Sequence, residues 1–295
     1  MKNFKGIPAS GLKIFAIVAM LIETFGLTFI MDLERKGFIH PIGNVIPVNN
    51  LFKIGGSAAL VVLTLLLAEG FTHTLNLKYY VIRMAVAALM TEFAYDYLMS
   101  GGFNSLYQSV LVSYIIALFT LMIVQKIDQG LIVQGDESKN RTKQILGVFL
   151  VLVTTLLGMA VSEFFRGDYG CLAIMLVVFF YFFKNKKAAI LTGGLIVFAV
   201  GHILHGLLDY VPLAILSGQA ELLPEIFSFR FAVSFLAKDF SHVAAVIGAI
   251  IGLIFAGLYN GKKGYQASKI AYYLFFPLHM LLMTVASTFL IVCLM

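Results

Sequence analysis

Residues 12–31 read LKIFAIVAMLIETFGLTFIM, and this run decides the fold. Lys13 near its start and Glu23 near its middle are the charged residues in it. A hydrocarbon core of about 30 Å is crossed by roughly 20 apolar helical residues, which is the length of this run. Comparable runs follow at 51–69, 80–98, 107–125, 145–163, 169–183, 188–208, 241–259 and 271–294. They are continuous rather than alternating, so they spell helices and not the strands of a membrane barrel. Composition agrees: 60% of the 295 residues are hydrophobic and 12% are charged, with a mean hydropathy of +0.95. A soluble domain carries about a quarter charged residues, enough to clothe its surface. The expected fold is therefore all-α: one integral membrane domain over 1–295, a polytopic bundle of about nine spans. Segment 209–240 has apolar pieces broken by Pro212, Gly218 and Pro224, and is read as extracytoplasmic or re-entrant. Two further crossings there would make eleven.

The basic residues orient the chain. With the N-terminus in the cytoplasm, fifteen lysines and arginines fall inside and six outside, which accounts for all 21. That is the asymmetry expected of cytoplasmic loops. The first run lacks a small-residue cleavage site after it and is read as a retained span. Cys171 and Cys293 lie inside apolar runs and give neither a disulfide framework nor a metal-ligand spacing. No basic groove with interleaved aromatics is present, so nucleic acid is not an expected partner. Membrane lipids are.

Ionisable groups at membrane depth are costly unless paired or hydrated, which makes each a candidate for function. Glu23 lies ten residues beyond Lys13, about 15 Å along a helix. It is either a hydrogen-bonded carboxyl that fixes helix packing or a working acid. Glu92 and Asp96 stand at i, i+4 on one helical face. They read as an acid/base pair, a cation site or a polar helix end. His202, His205 and Asp209 follow at i, i+3 and i+7 near the extracytoplasmic end of their run. Glu163, Asp168, Asp239 and His242 fall on the same side, so these seven are read as lining one polar cavity. Two histidines and an aspartate can ligate a metal, but no stringent spacing motif is present and no metal is expected. On the inner side, Glu69, His73, Asn76, Lys78, Tyr79 and Arg83 crowd one turn. They form either an ordinary polar loop or the mouth of a site for an anionic ligand. His279 follows Pro277 about a third of the way into the last run.

Several segments carry a resemblance. Gly11-Leu12-Lys13-Ile14 opens an apolar run that contains an acid. Ala68-Glu69-Gly70-Phe71-Thr72-His73-Thr74 is followed by Asn76, Lys78-Tyr79 and Arg83, then by Glu92 and Asp96. Glu163 precedes Asp168-Tyr169-Gly170, and the chain closes on Leu258-Tyr259-Asn260-Gly261-Lys262-Lys263-Gly264 and Phe275-Phe276-Pro277-Leu278-His279. In this order, across almost the whole chain apart from 209–240, they resemble the TraX family, whose name-giving member acetylates the N-terminus of conjugative pilin.

The resemblance implies a multi-pass protein of the bacterial cytoplasmic (inner) membrane, related to the wider membrane acyltransferase superfamily. It implies acetyl-CoA or another acyl-CoA as co-substrate, and a protein, glycan or small-molecule acceptor not yet identified. Glu23, His279, Glu92 and Asp96 become the catalytic candidates. Glu69, His73, Asn76, Lys78, Tyr79 and Arg83 become the candidate cofactor site, its basic groups suited to CoA phosphates. The chain departs from the family at one place. The first helix usually carries Asp-His where this one has Glu23-Thr24, and a threonine is no base at neutral pH. Glu23 and His279 are the groups that could act instead. The competing reading is a catalytically degenerate binding, channel-like or assembly protein on the same scaffold.

Overall fold

The computed structural model describes residues 6–42, 46–100, 102, 107–133, 141–216, 239–265 and 269–294, with scattered positions among 218–234. Among the described residues the architecture is all-helical. The extended pairings are isolated bridges such as Ile7 with Tyr259 and Gln108 with Gly167. The helices are α1 (Ala9–Arg35), α2 (Val48–His73), α3 (Leu77–Ser100), α4 (Val110–Ile127), α5 (Arg141–Phe164), α6 (Gly170–Phe183), α7 (Lys187–Leu216), α8 (Phe240–Gly257) and α9 (Lys269–Leu294). Each apolar run of the sequence corresponds to one of them. Seven are long and apolar enough to cross a membrane. The other two are α3, which carries Lys78, Arg83, Glu92 and Asp96, and α6, which has only 14 residues.

Two helices form the centre. α6 (GCLAIMLVVFFYFF) is apolar on every side, and a helix of that kind is stable only when surrounded. It packs against α2, α4, α5 and α7, while α2 packs against α1, α6 and α8. α9 closes the ring by lying on α3 and touching α1. The Ser287 hydroxyl donates to Asp32 at 2.6 Å across that last contact. The helices alternate in direction, so Lys13, Lys78, Arg83, Lys184, Lys262 and Lys263 gather at one end of the bundle. This is called the basic end below. There the N-terminal segment is tied down by Ile7 N–H donating to the Leu258 carbonyl and Ala9 N–H to that of Lys262, both at 2.8 Å.

The sequence placed the end of the seventh span at 208, but the helix continues through 209–216. The rest of segment 209–240 falls mostly outside the described residues, apart from one helical turn at Leu223–Ile226.

The tightest packing is between α2 and α8. In lipid, helices have no hydrophobic drive to associate and rely on close van der Waals contact, so small residues mark their interfaces. A Cβ added at Gly248 would sit 2.2 Å from the Ile54 carbonyl oxygen, and one at Gly252 would sit 2.7 Å from that of Ala58. Both obstacles are backbone and cannot swing away. Gly257, on the same helix, would meet only the tip of Leu191 at 3.6 Å. Gly248→Ala is expected to cost about 1–3 kcal/mol through overpacking. Gly257→Ala is expected to stay within about 0.5 kcal/mol of wild type. Thermal unfolding in mild detergent measures both, and equal effects would contradict the packing described.

Candidate functional site

α1, α2, α4, α9 and the turn before α6 line a cavity of about 50 Å³. Glu23 and Thr24 come from α1, Gly56 from α2, Tyr114 from α4, Asp168 and Tyr169 from the turn, and His279 from α9. The Tyr169 hydroxyl donates to Glu23 Oε1 at 3.1 Å. A Cβ on Gly56 would lie 1.9 Å from the same oxygen, so the carboxylate rests on bare α2 backbone. Directly after Glu23 and Thr24, α1 widens into a π-turn over Gly26–Ile30. Such turns cluster at functional sites.

His279 is held from one side only. Its Nδ1 lies 2.7 Å from the Phe275 carbonyl oxygen, and the ring stacks on the Phe275 ring with centroids 4.4 Å apart. A carbonyl can only accept, so Nδ1 carries the proton, and in the neutral ring Nε2 is left as an acceptor. Nε2 is buried and has no hydrogen-bond partner. The Tyr114 hydroxyl is in the same condition. A buried polar group left unsatisfied costs about 1–3 kcal/mol, so two facing one cavity call for an explanation.

The turn supplying Asp168 and Tyr169 is strained. Arg166 and Tyr169 have φ of 51° and 58°, a left-handed conformation that non-glycine residues adopt at a cost of about 1–3 kcal/mol. Its backbone is nonetheless fully engaged. Gln108 N–H donates to the Arg166 carbonyl at 3.1 Å, Asp168 N–H to that of Gln108 at 2.8 Å, and the Ser113 hydroxyl to that of Asp168 at 3.0 Å.

A larger cavity of about 280 Å³ lies between this site and the basic end, with Lys13, Tyr80, Arg83, Tyr272 and Tyr273 on its walls. The Lys13 ammonium sits over the Tyr272 ring at 4.6 Å. The two cavities share Met20, Leu63, Tyr114 and Phe276 as lining, so these four stand at the boundary between them, called the neck.

The structure separates the other residues singled out by the sequence. Glu92 accepts from the Ser109 hydroxyl at 2.5 Å and from its N–H at 3.0 Å, which pins the start of α4; neither it nor Asp96 lines the cavity. Glu69 is closed off by Lys184 at 2.5 Å, His73 at 3.0 Å and the Tyr259 hydroxyl at 3.1 Å. Burial and the neighbouring Glu69 push the Tyr259 hydroxyl well above its ordinary pKa. Asn76 Oδ1 accepts from Tyr79 N–H at 3.3 Å at the start of α3, and Lys78 and Tyr79 are exposed. Of the six residues on that turn, Arg83 alone lines the larger cavity.

At the opposite end, His202 Nε2 meets His242 Nδ1 at 3.0 Å, and His205 Nδ1 meets Glu163 Oε1 at 2.9 Å. Asp239 caps α8 by accepting from Ser241 N–H at 2.8 Å and also accepts from the Asn50 amide at 2.9 Å. Burial would raise its pKa, but the bonds from Ser241 and the nearby Lys53 outweigh it and hold the carboxyl below its ordinary value. The Asp209 side chain is outside the described residues. Asp168, expected among this outer group, instead lines the cavity with Glu23, because the strained turn carries it inward. Ligand atoms of Glu163, Cys171 and His205 come within 4.8 Å of one another, a set that could hold a metal. In this structure Glu163 Oε1 is satisfied by His205 and by Cys171 N–H at 2.7 Å, so hydrogen bonds already close the cluster.

The sequence reading missed Tyr114 and Tyr169. The available signals were a tyrosine inside an apolar run, whose hydroxyl needs a partner, and the short Arg166–Gly170 link between two spans. The family model described as TraX protein matches residues 9–287, nearly the whole chain. The chain belongs to the TraX family. No curated protein and no solved structure matches it at a significant level.

In this TraX member the Lys184–Glu69 pair is the strongest charge contact at the basic end, both side chains being 13% exposed. Glu69 keeps His73 and Tyr259 when Lys184 is removed, so what is lost is a charged hydrogen bond at a partly buried site, about 1.5–3 kcal/mol. Lys184→Met should therefore destabilise the protein by that order, and adding Glu69→Gln should recover part of the loss. A double-mutant cycle on unfolding in detergent measures this. A double variant no better than Lys184→Met alone would show that the pair is not coupled.

Proposed function

We propose that this TraX member is an integral membrane acyltransferase that takes an acetyl group from cytoplasmic acetyl-CoA. We place it in the bacterial cytoplasmic membrane, with nine crossings and the N-terminus in the cytoplasm. The observation that carries the reading is His279. Its unpartnered Nε2 is buried on a residue that lines a small cavity together with Glu23, next to a larger chamber with basic residues on its walls.

In this reading Lys13 and Arg83 attract the donor's phosphates at the basic end. The pantetheine arm enters the larger chamber and presents the thioester at the neck. Nε2 of His279 takes the proton from the acceptor amine or hydroxyl as that atom attacks the carbonyl carbon. The carbon–sulfur bond then breaks, and CoA leaves as a thiolate that recovers the proton from the imidazolium. The Phe275 carbonyl fixes the productive tautomer throughout. Glu23, steadied by Tyr169, supplies negative charge beside the imidazolium as it forms. A positioned general base contributes about 10²–10⁴-fold. Protein, glycan and small molecule all remain open as acceptor.

Membrane vesicles containing the protein and radiolabelled acetyl-CoA provide the test. Wild type should incorporate label into membrane or lumenal material. His279→Ala and Glu23→Gln should reduce this by about 10²-fold or more while remaining monodisperse. Thr24, buried at 4% exposure where the family carries histidine, motivates the second reading, a binding scaffold without turnover. Acetyl-CoA-independent behaviour of wild type together with activity in Thr24→His would favour that scaffold.

The orientation is tested separately. In a Cys293→Ser background, Cys171 being buried, Phe38→Cys should react with an impermeant thiol reagent added outside intact cells. Tyr265→Cys should react only after the cells are opened. Both positions are exposed, at 52% and 82%. Labelling of both from the same side would overturn the nine-crossing topology.

A further inference from the structure

We propose that the Tyr114 hydroxyl is the hydrogen-bond donor to the thioester carbonyl oxygen, and so stabilises the oxyanion that forms when the acceptor attacks. This rests on the acyl-transfer reading and adds to it a residue that nothing in the sequence marked.

Three observations converge on Tyr114. The side chain is 3% exposed, yet its hydroxyl has no hydrogen-bond partner. Tyr114 is among the residues that line both cavities. The other lining of that neck, Met20, Leu63 and Phe276, is apolar and offers nothing to a carbonyl oxygen. A thioester passing from the larger chamber towards His279 therefore meets one donor on the neck wall.

The roles at the site are complementary. His279 Nε2 has a lone pair and no proton to give at the moment of attack. Tyr114 has a proton to share. During attack the new bond to the acceptor forms, the carbonyl π pair moves onto oxygen, and that oxygen accepts from Tyr114. When the carbon–sulfur bond breaks, the pair returns and the hydrogen bond weakens. The hydroxyl keeps its proton throughout, so no additional reactant is needed. A donor fixed in a water-poor site costs no reorganisation during the reaction, which is why such groups act strongly.

The test needs no knowledge of the acceptor. Acetyl-CoA carrying ¹³C at the thioester carbonyl is bound to the purified full-length protein, and the isotope-edited infrared band of that carbonyl is recorded. Wild type should show the band shifted to lower frequency by hydrogen bonding. Tyr114→Phe should return it towards the unbonded position, while His279→Ala should leave the shift in place. Thermal unfolding of Tyr114→Phe should occur at or above the wild-type temperature, since the change removes an unpaired hydroxyl, and a purely structural tyrosine would instead lower it. Wild type should also bind acetyl-CoA several-fold more tightly than S-ethyl-CoA, which lacks the carbonyl, and this comparison needs no variant. Once the acceptor is known, Tyr114→Phe should lower kcat by about 10²–10³-fold while KM for acetyl-CoA rises only several-fold. An identical carbonyl band in wild type and Tyr114→Phe would overturn the role of Tyr114 and leave acyl-CoA binding intact. If wild type binds neither CoA compound, both the role and the acyl-transfer reading fall.

Discussion

α6 is too short for the layer it stands in. Fourteen helical residues span about 21 Å, whereas the hydrocarbon core is about 30 Å thick. At the basic end the Lys184–Glu69 pair fixes the segment just past α6. In the proposed nine-crossing arrangement the opposite end of the helix, and with it the turn at Arg166–Tyr169, would lie below the far surface. Irregular backbone at membrane depth is tolerated only inside protein or along a cavity, where its polar groups find partners. This turn meets both conditions, bonded to Gln108 and Ser113 on one side and walling the cavity on the other. The short helix thus brings Asp168 and Tyr169 to the depth of Glu23.

The approach of α1 to α2 completes the site from the other direction. Cβ atoms on Gly55 and Gly56 would lie 2.3 Å from the Ala19 carbonyl oxygen and 1.9 Å from Glu23 Oε1. A side chain at Gly55 would push the α1 backbone away, and one at Gly56 would displace the Glu23 carboxylate itself, the group that accepts from the Tyr169 hydroxyl. Close packing, which in lipid is what holds helices together, here also sets a carboxylate. A substitution at Gly56 would therefore act on stability and on the cavity together, and the two effects would not separate.

Much of the helix layout was legible because a bilayer demands long apolar runs, and such runs survive in the sequence whatever the tertiary packing. Glu23 and His279 stood out for the related reason that ionisable groups are rare in them. What escaped was everything set by contacts between distant segments. The spacing set Glu92 beside Asp96, but gave no sign of its bond to Ser109 across a helix junction. Glu69 looked like part of a ligand mouth, and its cation comes from Lys184 over a hundred positions away. Tyr114 and Tyr169 are unremarkable in an aromatic-rich chain until a cavity appears around them. The π-turn after Glu23 leaves no trace in the apolar pattern, because it changes the winding of the helix and not its composition.

The sizes of the two cavities bear on how acyl transfer could proceed in a membrane. The larger, at about 280 Å³, lies below the usual range for sites that engulf a whole drug-sized ligand. In the proposed reaction it would take only the thin arm of a CoA thioester, the nucleotide staying at the basic end near Lys13 and Arg83. The smaller, at about 50 Å³, fits an acetyl group or a few waters. Met20, Leu63 and Phe276 line both cavities and put apolar surface at the boundary. A wide polar passage here would join the two sides of the membrane and leak. Under the proposed function, an apolar boundary with one hydroxyl would let a thioester carbonyl be recognised while ions are refused, so tight packing around Tyr114 would suit acyl transfer inside a bilayer.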